Sequence, residues 1–320
     1  MKTKIIFTPV IENVAIRKTL FFIVVALCFT PLITPPLALF LGLIFAQFIG
    51  HPYLHLNKKI TTNLLQFSVV GLGFGMNLQT AMKAGSEGLA FTIASIAGTL
   101  ILGALLGRWL NIERKTSHLI SSGTAICGGS AIAAVGPVLQ AEEEHMSVAL
   151  GIVFILNSIA LFLFPPIGHM LHLTQHQFGL WAAIAIHDTS SVVGAATSYG
   201  EEALSIATAV KLTRALWIIP LALGTALVFK SGQQKIKWPY FIGYFVIATA
   251  INTYVPVVQE IAPYVVKLAR AGLTATLFLI GAGLSKKVLR SVGVKPFIQG
   301  VILWIVISVS ALCSVMYFAH

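Results

Sequence analysis

The sequence predicts an all-α integral membrane protein, and three observations point that way. Of 320 residues, 57% are hydrophobic and only 10% are charged, with a mean hydropathy of +0.90; a soluble domain of this length carries far more charge. The apolar residues gather into runs approaching the ~20 that cross a bilayer as a helix. The basic residues fall in alternate loops, and so on one side, the pattern of positive cytoplasmic loops. That pattern, rather than nucleic-acid binding, accounts for the net charge of +11.

Taken in order, Met1–Lys18 is basic, but no short apolar core with a small-residue cleavage site follows, so an uncleaved cytoplasmic N-terminus is expected. Leu20–Ile33 and Leu37–Ile49 are short and separated by Thr34-Pro35-Pro36. As a hairpin they set Lys2, Lys4, Arg17 and Lys18 on the side of Lys58 and Lys59; as one kinked span they set them opposite, against the charge rule. A hairpin is therefore expected. The remaining spans read Ile60–Leu78, Leu89–Leu110, His118–Leu139, Met146–Pro165, Phe178–Tyr199, Ala203–Phe229, Trp238–Val255, Ile261–Leu284 and Phe297–Phe318. This makes about 11 transmembrane helices, with the N-terminus inside and the C-terminus outside. The inside segments hold, besides the six basic residues already named, Arg108, Arg114, Lys115, Lys230, Lys235, Lys237, Lys286, Lys287, Arg290 and Lys295; the outside loops hold Lys83 alone, with Glu87, Glu142, Glu143, Glu144, Glu201, Glu202 and Glu260. No linker divides the chain, so residues 1–320 are expected to form one polytopic domain in the inner (cell) membrane. Cys28, Cys127 and Cys313 lie in or beside apolar runs, which argues against a disulfide framework.

Two spans are interrupted. Ser121–Val135 reads SSGTAICGGSAIAAV, with Gly123, Gly128 and Gly129 among Thr124, Cys127 and Ser130. Each glycine inside a helix costs about 1 kcal/mol relative to alanine, so the helix is expected to stop and restart. In a bilayer, such a break is tolerated only where protein or a water-filled cavity surrounds it, and it is a candidate binding site. Close helix packing through small residues is the alternative. The second interruption is Ala185–Ala195, where His187-Asp-Thr-Ser190 aligns with Cys127-Gly-Gly-Ser130 and Ser191 follows.

Outside the loops, four basic residues remain, in two matching phrases: Val210-Lys-Leu-Thr-Arg-Ala215 and Val266-Lys-Leu-Ala-Arg-Ala271. Helical rise puts Lys211 and Arg214 about 12 and 16 Å from the outer end of their span, Lys267 and Arg270 about 9 and 13 Å down theirs, and Cys127 and His187 about 13 Å from the inner ends of theirs. All fall near the middle of a core about 30 Å thick, where a charge costs at least about 3 kcal/mol. Asp188 is the one acid within the spans and cannot neutralise four cations. An anion site is the reading favoured here; snorkelling, or pairing with Asp188 and helix carbonyls, is the structural alternative. Half-helices starting at Ser130 and Ser190 would aim free N–H groups at such an anion. Thr124, Ser130, Thr189, Ser190 and Ser191 add hydroxyls, and arginine suits a tetrahedral oxyanion. Asp188 or His187 would carry a coupling proton.

Other features are weaker. His169, His172 and His176 suit an interfacial position better than a metal site, having no carboxylate or cysteine beside them. Cys127 with His187 suggests a thiol nucleophile only in composition, and Trp181, Trp217, Trp238 and Trp304 suit anchoring or packing. No phosphate-binding loop is present, which disfavours primary pumping. Neither a metal nor a cofactor is expected, nor enzymatic activity.

The phrases Ser121–Ala134, His187–Ala195 and Lys211–Arg214, with Gly281-Ala-Gly-Leu-Ser285 and Gly293-Val-Lys-Pro296, resemble the bacterial YeiH-like membrane proteins, described as sulfate exporters and grouped near the bile acid, arsenite and riboflavin transporters. The resemblance covers nearly the whole chain. It implies inverted repeats of five helices, a core domain in which two broken helices cross at the midplane, and a separate panel domain. It makes Ile261–Leu284, breaking near Gly272, the mate of His118–Leu139, whereas the residues themselves favour Phe178–Tyr199. The chain departs from the usual family pattern at His187-Asp188, where His-Glu or His-Asp-Val-Ala-Gln is more usual, with Ser190 and Ser191 in place of Ala-Gln.

The function expected is a secondary transporter, an exporter of a small inorganic or organic anion such as sulfate. The binding residues expected are Thr124, Cys127, Gly128, Gly129, Ser130, Thr189, Ser190, Ser191, Lys211, Arg214, Lys267 and Arg270, with His187 and Asp188 coupling protons. A sodium or other cation/proton antiporter using Asp188, and a non-transporting membrane sensor or intramembrane enzyme, are the alternatives. The partners expected are the anion, protons or sodium, and the lipid bilayer, with no nucleic acid; a homo-oligomer stays open.

Overall fold

The computed structural model describes residues 13–87, 89–229, 240–284 and 292–318, and every described element is helical. Lys2, Lys4, Lys230, Lys235, Lys237, Trp238, Ser285, Lys286, Lys287 and Arg290, which figure in the charge pattern, the anchors and the motifs, lie outside the described residues.

Helix α1 spans Val14–Leu27, capped by Asn13, whose Oδ1 accepts from the Ala15 N–H at 2.9 Å. Helix α2, Pro35–Ile44, starts on two prolines, which lack the N–H that a first turn leaves unbonded anyway. It winds into a π turn over Phe45–Ile49. The expected hairpin forms: Arg17, near the start of α1, donates to the Gly50 carbonyl just past the end of α2, at 3.3 Å.

Helices α3 (Leu54–Gly73), α4 (Leu78–Glu87) and α5 (Leu89–Trp109) follow; α4 falls in a segment expected to be loop. The predicted span His118–Leu139 is two helices, α6 (Arg114–Ala125) and α7 (Gly129–Val138). Helix α8, Glu143–Met170, starts earlier than its predicted bound, drawn out by a capping box between Glu142 and His145, and continues through Pro165 and Pro166. The predicted span Phe178–Tyr199 is also two helices, α9 (Gln175–Ala185) and α10 (Thr189–Tyr199). Helices α11 (Glu201–Leu216) and α12 (Ile218–Phe229) are divided by a turn at Trp217, three residues before Pro220, whose missing N–H frees a carbonyl in that turn. Helices α13 (Tyr240–Tyr254), α14 (Pro256–Gly283) and α15 (Val294–Phe318) complete the chain.

Thr92–Trp109, Glu144–Met170, Glu201–Phe229, Pro256–Gly283 and Val294–Tyr317 are each long and apolar enough to cross a membrane. Helices α2, α3, α13 and α14 pack as one group, joined by α1 through Phe21 against Phe45 and Phe278, while α5 to α12 pack with α15 as another; α10 meets both α2 and α14, and α4 meets both α11 and α13. In the first group α2 and α14 touch backbone to backbone. A Cβ on Gly42 would strike the Phe278 carbonyl, and one on Gly281 would lie 2.9 Å from the Leu43 nitrogen, so both crossing points require glycine.

Helix α14 runs without interruption through Gly272. The break implied there by the family resemblance is absent, and the second broken helix is α9/α10. The Thr276 hydroxyl returns to the Gly272 carbonyl at 2.8 Å within a regular helix, and Ser68 of α3 fills the space a Gly272 side chain would take. The glycine there serves close packing.

Candidate functional site

Each break is written in local sequence. Helix α6 stops at Ala125; Ile126 leaves the helical region and Gly128 takes φ +60°, ψ −120°, a conformation that suits glycine. A Cβ there would also lie 2.9 Å from Cγ1 of Val153 on α8. Helix α9 stops at Ala185, Ile186 is extended, and Asp188 caps α10 through Oδ2, which accepts from the Ser190 and Ser191 N–H groups at 3.1 and 3.2 Å. The breaks adjoin: a Cβ on Gly128 would lie 3.6 Å from the His187 carbonyl carbon and oxygen. Asn157 of α8 stitches the second break, its Oδ1 accepting from the His187 and Asp188 N–H groups at 3.0 and 3.3 Å.

Breaking a helix orphans its last carbonyls. Both sets converge on α11. Lys211 Nζ donates to the carbonyls of Ile126 (3.0 Å), Ala183 (3.2 Å) and Ile186 (2.7 Å). Arg214 donates to the Ala125 carbonyl and, through Nη1, to Ser95 Oγ of α5 at 3.0 Å. Both side chains are completely buried. The two cations therefore sit at the negative ends of α6 and α9, where helix dipoles favour positive charge.

Around this junction several buried polar atoms have no partner: Nδ2 of Asn157, Nε of Arg214, the hydroxyls of Ser122, Thr124 and Ser190, and both ring nitrogens of His187. The first two are donors only. Buried polar groups are ordinarily paired, and this cluster is what singles out the junction as the candidate site.

A family model described as "Conserved hypothetical protein 698" matches residues 15–300. A UPF0324 membrane protein of Bacteroides thetaiotaomicron is 61% identical over 287 residues, 89% of this chain and 87% of the relative. Others from Porphyromonas gingivalis (56%, covering 90% and 88%) and Bdellovibrio bacteriovorus (50%, covering 94% of each) align as fully. The chain belongs to the UPF0324 membrane protein family. The YeiH-like resemblance seen in its motifs is borne out, and it is a multi-pass membrane protein. No solved structure matches it.

In this UPF0324 chain the residues expected to form one site are divided. Thr124, Cys127, Gly128, His187, Asp188, Thr189, Ser190, Ser191, Lys211 and Arg214 are buried at the junction. Gly129 is half-buried and Ser130 is exposed, so the first turn of α7 turns Ser130 away from the cluster. Lys267 and Arg270 are not at the junction. Lys267 is exposed, and Arg270 grips Glu201 at the start of α11, with Nη1 2.5 Å from Oε1. The matching phrases thus hold different places: one closes helix ends, and the other borders an open cavity. Among weaker candidates, His169 stacks on Tyr199 at 4.3 Å. Asn157 and Ser95 were missed; a lone Asn-Ser pair within the apolar run Met146–Pro165 was the available signal for the former.

Proposed function

We propose that this protein is a secondary transporter of a small oxyanion such as sulfate, bound where the α6/α7 and α9/α10 breaks meet. One observation carries this reading: buried donors without acceptors, Asn157 Nδ2 and Arg214 Nε, lie beside two cations and one carboxylate. Half-helix ends contribute about half a charge each and cancel in pairs, so Lys211, Arg214 and Asp188 leave an excess of one positive charge. The hydroxyls of Thr124 and Ser190 add donors, and the N-terminus of α7 has no side-chain cap.

Asp188 already takes the N–H groups of Ser190 and Ser191, so His187, whose ring is without partners, is the better proton carrier. A sulfate dianion with one proton on His187 would balance the site. The cation-exchange alternative needs Asp188 free and is less well supported. Counting each interrupted helix as one crossing supports eleven crossings, with the N-terminus on the cytoplasmic side of the inner membrane. The proposed direction of transport is outward. An inverted repeat of five helices is not part of it, because the helix equivalent to α6/α7 would be α14, which is unbroken.

Radiolabelled sulfate flux in proteoliposomes, with and without a pH gradient, tests this. The expected result is flux above empty liposomes that rises with the gradient, falls in Ser190→Ala and Thr124→Val, and loses its gradient dependence in His187→Gln. Folded protein that moves neither sulfate nor any of a panel of small anions would overturn the reading. So would full flux in both hydroxyl variants.

A further inference from the structure

A cavity of about 740 Å³ opens between the α1–α2 turn, the end of α3, α13 and the first half of α14. Organic ligands occupy cavities of about 300–1,000 Å³, so the space far exceeds what a bare inorganic ion needs. Its wall is chiefly apolar, with Phe29, Ile33, Phe74 and Val266 among the lining residues. Two cations, Lys267 and Arg270, share it, and no described carboxylate lines it. Glu201 takes the Nη groups of Arg270, while Nε is buried without an acceptor. Lys267 has no ion-pair partner among the described residues.

We propose that this cavity binds an amphipathic oxyanion, with a carboxylate, sulfonate or phosphate head on Lys267 and Arg270 and an alkyl or aryl body against Phe29, Phe74 and Val266. A free organic anion and an anionic membrane lipid share that chemistry. The head competes with Glu201 for Arg270, so binding loosens the hold of α14 on the first residue of α11. The site is separate from the helix breaks and does not rest on their being a transport site.

Titration calorimetry of the full chain in phosphatidylcholine nanodiscs, with octanoate as the probe, tests it. Saturable binding is expected, weakened at least about tenfold in Lys267→Gln and Arg270→Gln and lost in Ala271→Phe, which fills the cavity and leaves its charges. Glu201→Gln removes the same ion pair as Arg270→Gln yet is expected to tighten binding, which a merely structural role for the pair would not do. Inorganic sulfate should not displace the probe. Absence of saturable binding, wild-type affinity in Lys267→Gln, Arg270→Gln and Ala271→Phe, or full displacement by sulfate would overturn the proposal. Adding phosphatidylglycerol to the nanodiscs separates the sources: competitive weakening of octanoate identifies a lipid as the occupant, and unchanged affinity identifies a free organic anion.

Discussion

Lys211 and Lys267 show how little a residue's sequence neighbours say about its work. Both open a Val-Lys-Leu-x-Arg-Ala phrase on a helix. Lys211 is wholly buried and answers three carbonyls from two broken helices; Lys267 is exposed at a cavity wall. An unanswered buried acceptor costs about 1–3 kcal/mol. Lys211→Met is therefore expected to destabilise the protein by about 3 kcal/mol or more, with Lys267→Met within about 0.5 kcal/mol of wild type. Thermal unfolding of both variants in the same detergent checks the contrast. Arg214 belongs with Lys211 but is not spent in the same way: the helix ends take all three Lys211 donors and one Arg214 nitrogen, and Arg214 Nε is left without an acceptor.

At the scale of elements, the α6/α7 break depends on Gly128. Any side chain there meets two separate penalties, backbone strain at φ +60° and a contact with Val153. Gly128→Ala is expected to cost about 1–3 kcal/mol through strain alone. Adding Val153→Ala should relieve the contact without restoring full stability. A double-mutant cycle by thermal unfolding separates the two; complete rescue by Val153→Ala would show that sterics, not backbone conformation, sets the break. The interruption at Ser121–Val135 was legible because glycines and small polar residues punctuate an apolar run. That at Ala185–Ala195 was legible because Asp188 sits where an N-cap belongs. The helix α4 and the continuation of α8 through Pro165 and Pro166 were not legible, whereas α14 reads from its residues as an ordinary span and only the family resemblance implied a break in it. Helix α4 depends on a distant neighbour, since Thr253 holds the Leu78 N–H at 2.9 Å, and Ser68 and Ala269 occupy glycine clefts between α3 and α14.

Across the whole molecule, the two helix groups are joined by the packing of α10 on α2 and α14, by α4 lying against both α11 and α13, and by the Arg270–Glu201 ion pair. Glu201 is 74% exposed and Arg270 32%, so the pair contributes only about 0–1 kcal/mol to stability. Its expected role is local. Hydrogen exchange in Arg270→Gln should quicken at the start of α11 and stay unchanged in α3 and α13, with little change in unfolding temperature. A large drop in that temperature would make the pair a structural tie instead. Composition and hydrophobic runs by themselves determined that this is a multi-pass helical membrane protein, and local residues that two of its apolar runs break, because lipid leaves the backbone few alternatives to a helix and each break is written in local residues. Which helix ends meet, and which cation meets which acceptor, only the tertiary structure decided. Those helix-end pairings join residues 25 to 89 positions apart, such as Ile186 with Lys211 and Ala125 with Arg214. They exist only once α6, α9 and α11 are packed together, and two nearly identical Lys-Leu-x-Arg phrases hold no trace of which one would be buried.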